Sequence, residues 1–247
     1  MEKDNWHILK KYTNARIAIG HAGSSLPTSE ILRFRMAHSM AKDAITSELD
    51  MAMLIKDFKS IGLNVISVKS QATDRNDYLR NPNKGRLLDN QSAADLQSLA
   101  CEKVDLCIVV ADGLSANAVN YHAVKLIELL ISQIKNWTLT PIILAKHGRV
   151  ALSDSLGEIL NARIALILIG ERPGLSSPNS MGAYLTYQPK IGNTDERRNC
   201  VSNIQPEGLT YELAAVKLAH LLNQMYIKQI SGVQLKDDQS DSIYLEK

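Results

Sequence analysis

The sequence predicts an α/β fold, a parallel sheet flanked by helices and preceded by a helical N-terminal segment. Three observations support this. Val104 to Ala111 is a nearly continuous apolar run, as a parallel strand covered on both faces requires. Two further apolar runs follow, Pro141 to Ala145 and Ala162 to Ile169. Helical patterns separate them, and the succession strand, helix, strand, helix, strand argues for right-handed crossovers and a Rossmann-like sheet.

Taken in order, residues 1–14 read as a short, mobile lead-in and Ala15 to Gly20 as a strand or extended segment. Thr28 is a plausible N-cap, with Glu30 in the first turn, for a helix that runs to about Lys59 in one or two pieces. Leu32, Met36, Met40 and Ala44 lie four apart on one face of it. Residues 62–69 alternate apolar and polar and read as a strand. Thr73 to Arg86 is polar, contains Pro82 and Gly85, and reads as a loop or a helix–turn excursion. After the first long apolar run, Ala116, Val119, Ala123, Leu126, Leu130 and Ile134 mark one helical face. Ser153 to Leu160 is a short helix. From Gly174 to Gly208 the chain reads as loop-rich, before a last helix capped by Thr210 with an apolar stripe from Ala214 to Met225. The expected division is an N-terminal helical or mixed segment (1–100), a Rossmann-like domain (101–230) and a polar, frayed tail (231–247).

The chain has 247 residues, enough for one large domain or a core domain with an appendage. Its net charge of +2 and scattered Lys and Arg argue against a nucleic-acid partner, which needs a concentrated basic stripe. Met1 to Tyr12 lacks the apolar core of a secretion signal, and no window suits a membrane span, so the expected setting is cytoplasmic. Cys101, Cys107 and Cys200 are too few and too irregular for a disulfide scaffold or closed zinc site.

Ligands of open parallel sheets bind beyond the carboxyl ends of the strands. Those ends are the loops Ala111–Ser115, Lys146–Val150 and Gly170–Gly174, each containing glycine where backbone can approach a ligand. Ordinary βα turns would look the same. There is no G-x-G-x-x-G, no G-x-x-x-x-G-K-[ST] and no D-x-H-x-x-G. His21, His38, His122 and His147 do not pair at metal-ligand spacing. Asp112 and Glu171 could be general bases or could orient loops through backbone N–H groups. Cys200, beside Arg197 and Arg198, could be an activated nucleophile or a packing residue. No complete catalytic constellation emerges, which suits a chain that positions something for a partner.

Several segments together resemble the small subunit of ethanolamine ammonia-lyase. They are Ala15 to Gly20 with the following His-Ala-Gly-Ser-Ser-Leu-Pro-Thr, Met36-Ala37-His38 leading to Lys42-Asp43-Ala44, Asp77-Tyr78-Leu79 with Gly85-Arg86, and Val109 to Ala116. The most specific is Leu168 to Pro178, continuing through Ser180 to Thr186, Arg198-Asn199-Cys200 and Ser202-Asn203-Ile204.

The resemblance implies a hetero-oligomer with a large subunit that holds the substrate in a barrel. It implies adenosylcobalamin, base-on and shared with the large subunit, for the radical deamination of ethanolamine to acetaldehyde and ammonia. Three positions of the family's pattern touch that cofactor and match Val150, Glu171 and Cys200. On this reading Cys200 is a wall contact, Glu171 an acceptor for the corrin's amides or the nucleotide tail, and Val150 an apolar or backbone contact. No catalytic residue and no protein metal ligand is expected. Members with a longer N-terminal extension are linked to packaging in an ethanolamine-utilisation microcompartment; residues 1–14 are shorter than that extension. The alternatives are a stand-alone Rossmann-like nucleotide-binding or sensor protein, and a structural assembly factor.

Overall fold

A computed structural model describes residues 5–13, 15–99 and 102–236. Met1–Asp4 and Asn14 of the lead-in, Cys101, and the polar tail beyond Lys236 lie outside the described residues. Six strands form one sheet: β1 (Val65–Lys69), β2 (Val104–Ala111), β3 (Ile142–Lys146), β4 (Ala162–Gly170), β5 (Met181–Tyr187) and β6 (Arg198–Ile204). Their order is β1-β3-β2-β4-β5-β6. The pairs β1–β3, β3–β2 and β2–β4 are parallel. β5 is antiparallel to β4, and β6 to β5.

The sheet is therefore mixed, and the expectation of a wholly parallel sheet is corrected at this edge. The cause is the connection. A parallel return needs a crossover of a dozen or more residues, about the size of a helix. Only residues 171–180 join β4 to β5, and Glu171 N–H donates to the Ser180 carbonyl across their base at 3.0 Å. The stretch read as loop from Gly174 to Gly208 thus contains two strands.

Helices cover both faces. They are α1 (Thr28–Thr46), α2 (Met51–Ser60), α3 (Arg75–Arg80), α4 (Asn90–Ser98), α5 (Ala116–Gln133), α6 (Leu152–Ile159) and α7 (Tyr211–Lys228). Alternation along β2 splits the core. Leu106, Ile108 and Val110 join α2, α5 and α7 on one face, with Leu54, Phe58, Leu126 and Leu222. Cys107, Val109 and Ala111 join α4 and α6 on the other, with Leu96, Leu152 and Leu156. Each fully buried Leu or Ile contributes about 1.5–3 kcal/mol, so β2 and its neighbours anchor the fold.

The N-terminal part departs from its sequence reading in two places. A 3₁₀ helix spans Asn5–Lys11 within the expected mobile lead-in. Ala15 to Gly20 forms no strand, and Ala18 and Gly20 take φ of 49° and 70°. The helix expected to run to about Lys59 in one or two pieces is two, α1 and α2, because Ser47 turns extended and Asp50 accepts the Met53 N–H at 3.0 Å to cap α2. Neither Thr28 nor Thr210 makes a side-chain capping bond. At the other end the chain stays packed past Ser231: Asn199 Nδ2 donates to the Leu235 carbonyl at 2.9 Å, and Leu235 is buried. No described helix is long and apolar enough to cross a membrane.

Candidate functional site

β2 ends at a buried carboxylate. Asp112 accepts the His147 N–H (3.0 Å), the His147 Nδ1–H (3.2 Å) and the Gly148 N–H (3.0 Å). An acceptor-only carboxylate fixes the histidine's Nδ1–H tautomer. His147 has φ of 59°, and Asp112 holds it in that left-handed turn. Arg75, at the start of α3, stands 3.6 Å from the same carboxylate. It donates to the Gly113 carbonyl at 2.7 Å and to the Ile45 carbonyl at 2.8 and 2.9 Å. One aspartate therefore ties the loop after β3 to the loop after β2, and through Arg75 to the end of α1.

Tyr78 of α3 completes this wall. Its hydroxyl donates to the Gly148 carbonyl at 3.1 Å, and burial pushes its phenol well above the usual range. The Arg149 guanidinium lies 4.4 Å from its ring centroid and that of Arg75 5.0 Å. Arg149 Nε is buried and has no hydrogen-bond partner among the described residues.

The loop after β4 forms the facing wall. Gly113, with φ of +55°, packs so tightly on Gly170 that a Cβ would overlap the Gly170 carbonyl oxygen, and Leu114 N–H donates to that same oxygen at 2.9 Å. The Glu171 carboxylate accepts the Ser180 hydroxyl at 2.7 Å and the Asn203 N–H at 3.2 Å, both on Oε2. Oε1 has only a 3.4 Å approach from Asn203 N, so it retains capacity to accept. Glu171 thus orients its loop as Asp112 does and keeps a free edge.

Between these walls lies a cavity of about 450 Å³, lined among others by Tyr78, Arg149, Val150, Glu171, Arg172 and Tyr184. Val150 and Glu171, expected in one site, are brought together here. Cys200 lies outside the lining. It sits opposite Tyr184 in the β5–β6 register and is exposed. Partial desolvation raises the Cys200 thiol and the nearby Glu171 charge raises it further, with Tyr184 opposing both. A raised thiol pKa is the opposite of what an activated nucleophile needs. Cys107 is fully buried in β2, with burial pushing its thiol up to about 12, and acts in packing.

Sequence reasoning did not single out Arg75, Tyr78, Arg149, Ser180 or Tyr184. Tyr78, Arg149, Ser180 and Tyr184 fell inside quoted segments, but no spacing rule links α3 to the loop after β3.

The family model of the ethanolamine ammonia-lyase light chain (EutC) matches residues 3–236. The chain belongs to that family. The ethanolamine ammonia-lyase small subunit of Azotobacter vinelandii is 47 % identical to this light chain over 238 residues, covering 94 % of it and 88 % of the relative. Those of Xanthomonas campestris pv. campestris and Pseudomonas syringae pv. tomato are each 46 % identical, covering 96 % and 94 % of this light chain and 89 % and 83 % of their own lengths. A light chain is a lyase subunit, and the arrangement around Asp112 and Glu171 provides rigid, hydrogen-bonded walls.

Proposed function

We propose that this light chain, with the large subunit of ethanolamine ammonia-lyase, holds adenosylcobalamin base-on for the deamination of ethanolamine to acetaldehyde and ammonia. The observation that supports it best is the meeting of three carboxyl-edge loops around one cavity bearing Val150 and Glu171, with the Tyr184–Cys200 pair at its rim. This is where a Rossmann-like half-sheet places ligands. The cofactor, when bound, supplies the radical chemistry.

The residues present fit such a group. Arg149 offers a buried N–H in need of an acceptor, which a phosphodiester or amide oxygen satisfies. Glu171 Oε1 can accept from an amide side chain of the corrin. Val150 and Ile169 give apolar wall for a ring face. A corrin with its nucleotide tail exceeds a cavity of about 450 Å³, so this chain encloses part of the cofactor and the large subunit the rest. The chain's work is to orient the cofactor and exclude water.

The first hundred residues are assigned to the large-subunit contact. Leu32, Met36 and Met40 of α1 are 58 %, 68 % and 45 % exposed and stand on one face. Such a row is costly to leave in water and matches an obligate interface. The light-chain match over nearly the whole length leaves a stand-alone nucleotide-binding or sensor role unfavoured.

The experiment is co-expression with the large subunit and titration of the purified complex with adenosylcobalamin, followed by visible absorption. Glu171→Ala removes a charged acceptor and should weaken cofactor affinity by about 10- to 100-fold while the complex stays intact. Unchanged affinity would falsify the assignment of Glu171 to the cofactor.

A further inference from the structure

A second cavity, of about 560 Å³, opens at the opposite edge of the sheet, where β4 begins. β4 runs the nine residues from Ala162 to Gly170. At about 3.3 Å per residue the two cavities are therefore roughly 25 Å apart. The wall of this one is cationic. Lys103, Arg163, Lys190 and Arg197 line it against a single carboxylate, Glu158. None of the four forms an ion pair with a described carboxylate. Glu158 is already engaged, its Oε2 accepting the Ile191 N–H at 3.0 Å.

Basic residues at this edge have an ordinary explanation, since α6 and α7 both end beside the cavity. A helix C-terminus carries about half a negative charge. Two such ends and Glu158 offset about two of the four positive charges, which leaves about two uncompensated among the described residues. The whole chain carries a net charge of only +2, so this is a local concentration. The remaining wall is polar in a particular way. Asn161, Gln188, Asn193, Gln229 and Gln234 present carboxamides, which both donate and accept. The Arg163 guanidinium lies 4.3 Å over the Tyr226 ring, which presets its direction.

A pocket of this volume suits a small ligand. Compact phosphoryl groups bring two or more negative charges into such a space. A macromolecular polyanion would need the basic stripe to continue beyond the cavity. We propose that this cavity binds a small diphosphate-bearing anion, at a site separate from that of the cofactor.

The test is isothermal titration of the cobalamin-loaded complex of both subunits near physiological ionic strength, with inorganic diphosphate and ADP as probes and adenosine as control. Saturable binding of either phosphoryl probe is expected, with none for adenosine. ADP binding alone identifies a nucleotide as the source, and equal binding identifies the diphosphate group. Affinity should fall about tenfold or more in the double variant Lys190→Glu/Arg197→Glu, and with added salt. Both side chains are exposed, so the variant should keep the parent melting temperature. Three binding results overturn the proposal: neither probe binds; the charge-reversed complex binds like the parent; or excess cobalamin displaces the probe. Dissociation of the large subunit in the charge-reversed variant, without loss of a probe, would make the cavity a protein contact instead and equally overturn it.

Discussion

At the residue scale, Asp112 shows how one side chain sets a site it does not chemically serve. Three N–H groups and one guanidinium converge on it at 2 % exposure. Asp112→Ala leaves those donors buried and Arg75 without its counter-charge. Loss of one partner of a buried charged pair costs about 3–5 kcal/mol, so the urea midpoint should drop by that equivalent and cofactor binding should fall with it. The sequence left Asp112 and Glu171 open between general base and loop orienter. The structure places both as orienters, and only a fold that brings His147 or Asn203 beside them could decide it. A second residue-scale effect is acid sensitivity. Burial pulls the His122 imidazole below its ordinary 6.5, and its Nδ1 lies 2.8 Å from the Tyr211 hydroxyl. The unfolded chain takes up its proton near pH 6.5, while the folded chain resists until the pH is lower. The unfolded state thus binds more protons in that window, and stability falls as pH drops below about 6.5. Denaturation curves between pH 7 and 5 should show this slope, and His122→Gln should flatten it; an equal slope in both proteins would remove His122 as the cause.

At the scale of elements, legibility followed burial. β2 matched its sequence reading because both faces are covered, which writes the strand as an unbroken apolar run. β5 was read as loop although most of it is buried, because Gly182, Thr186 and two tyrosines interrupt its apolar run; β6 was read as loop because it is an edge strand that keeps only Arg198, Val201 and Ile204 buried. The polar residues of β6 do not stand out among the Ser, Asn, Pro and Gly around them. What holds it is an ion pair invisible to local pattern. Arg198 of β6 donates to both Asp154 carboxylate oxygens of α6, at 2.8 and 2.6 Å, with both side chains 2 % exposed. Arg198 also donates to the Thr186 hydroxyl at 3.2 Å and the Asn193 carbonyl at 3.1 Å. This clamp lies two residues from Cys200 and sets where β6 meets the wall of the proposed cofactor site. Asp154→Ala should cost about 3–5 kcal/mol, because it strands a buried guanidinium. The apolar pair Asp154→Leu/Arg198→Met should cost much less, and chemical denaturation of the two variants tests that order. Equal losses would mean the pair acts through packing alone.

At the scale of the whole molecule, α1 poses the remaining question. Its stripe of Leu32, Met36, Met40 and Ala44 was legible as a helical face, yet only Ala44 reaches the core. Residues four apart on a helix of 3.6 residues per turn drift by about 40° per step, so a long stripe winds off the body it starts on. The polar side offers no better burial: Glu30, one of the two buried residues of α1, is held by Arg33 at 2.8 Å and approached by Lys10 at 3.9 Å. A sequence cannot say whether an apolar face meets its own core or another chain, since the pattern is the same in both cases. If the large subunit covers this face, three side chains leave water on assembly, each contributing about 1.5–3 kcal/mol at full burial. Leu32→Glu, Met36→Glu and Met40→Glu together should therefore leave the fold and its denaturation midpoint nearly unchanged, because all three side chains are exposed. The same triple variant should fail to co-sediment with the large subunit at micromolar concentration, where the parent chain does. A variant that still assembles like the parent would move the interface off α1 and leave its exposed row unexplained.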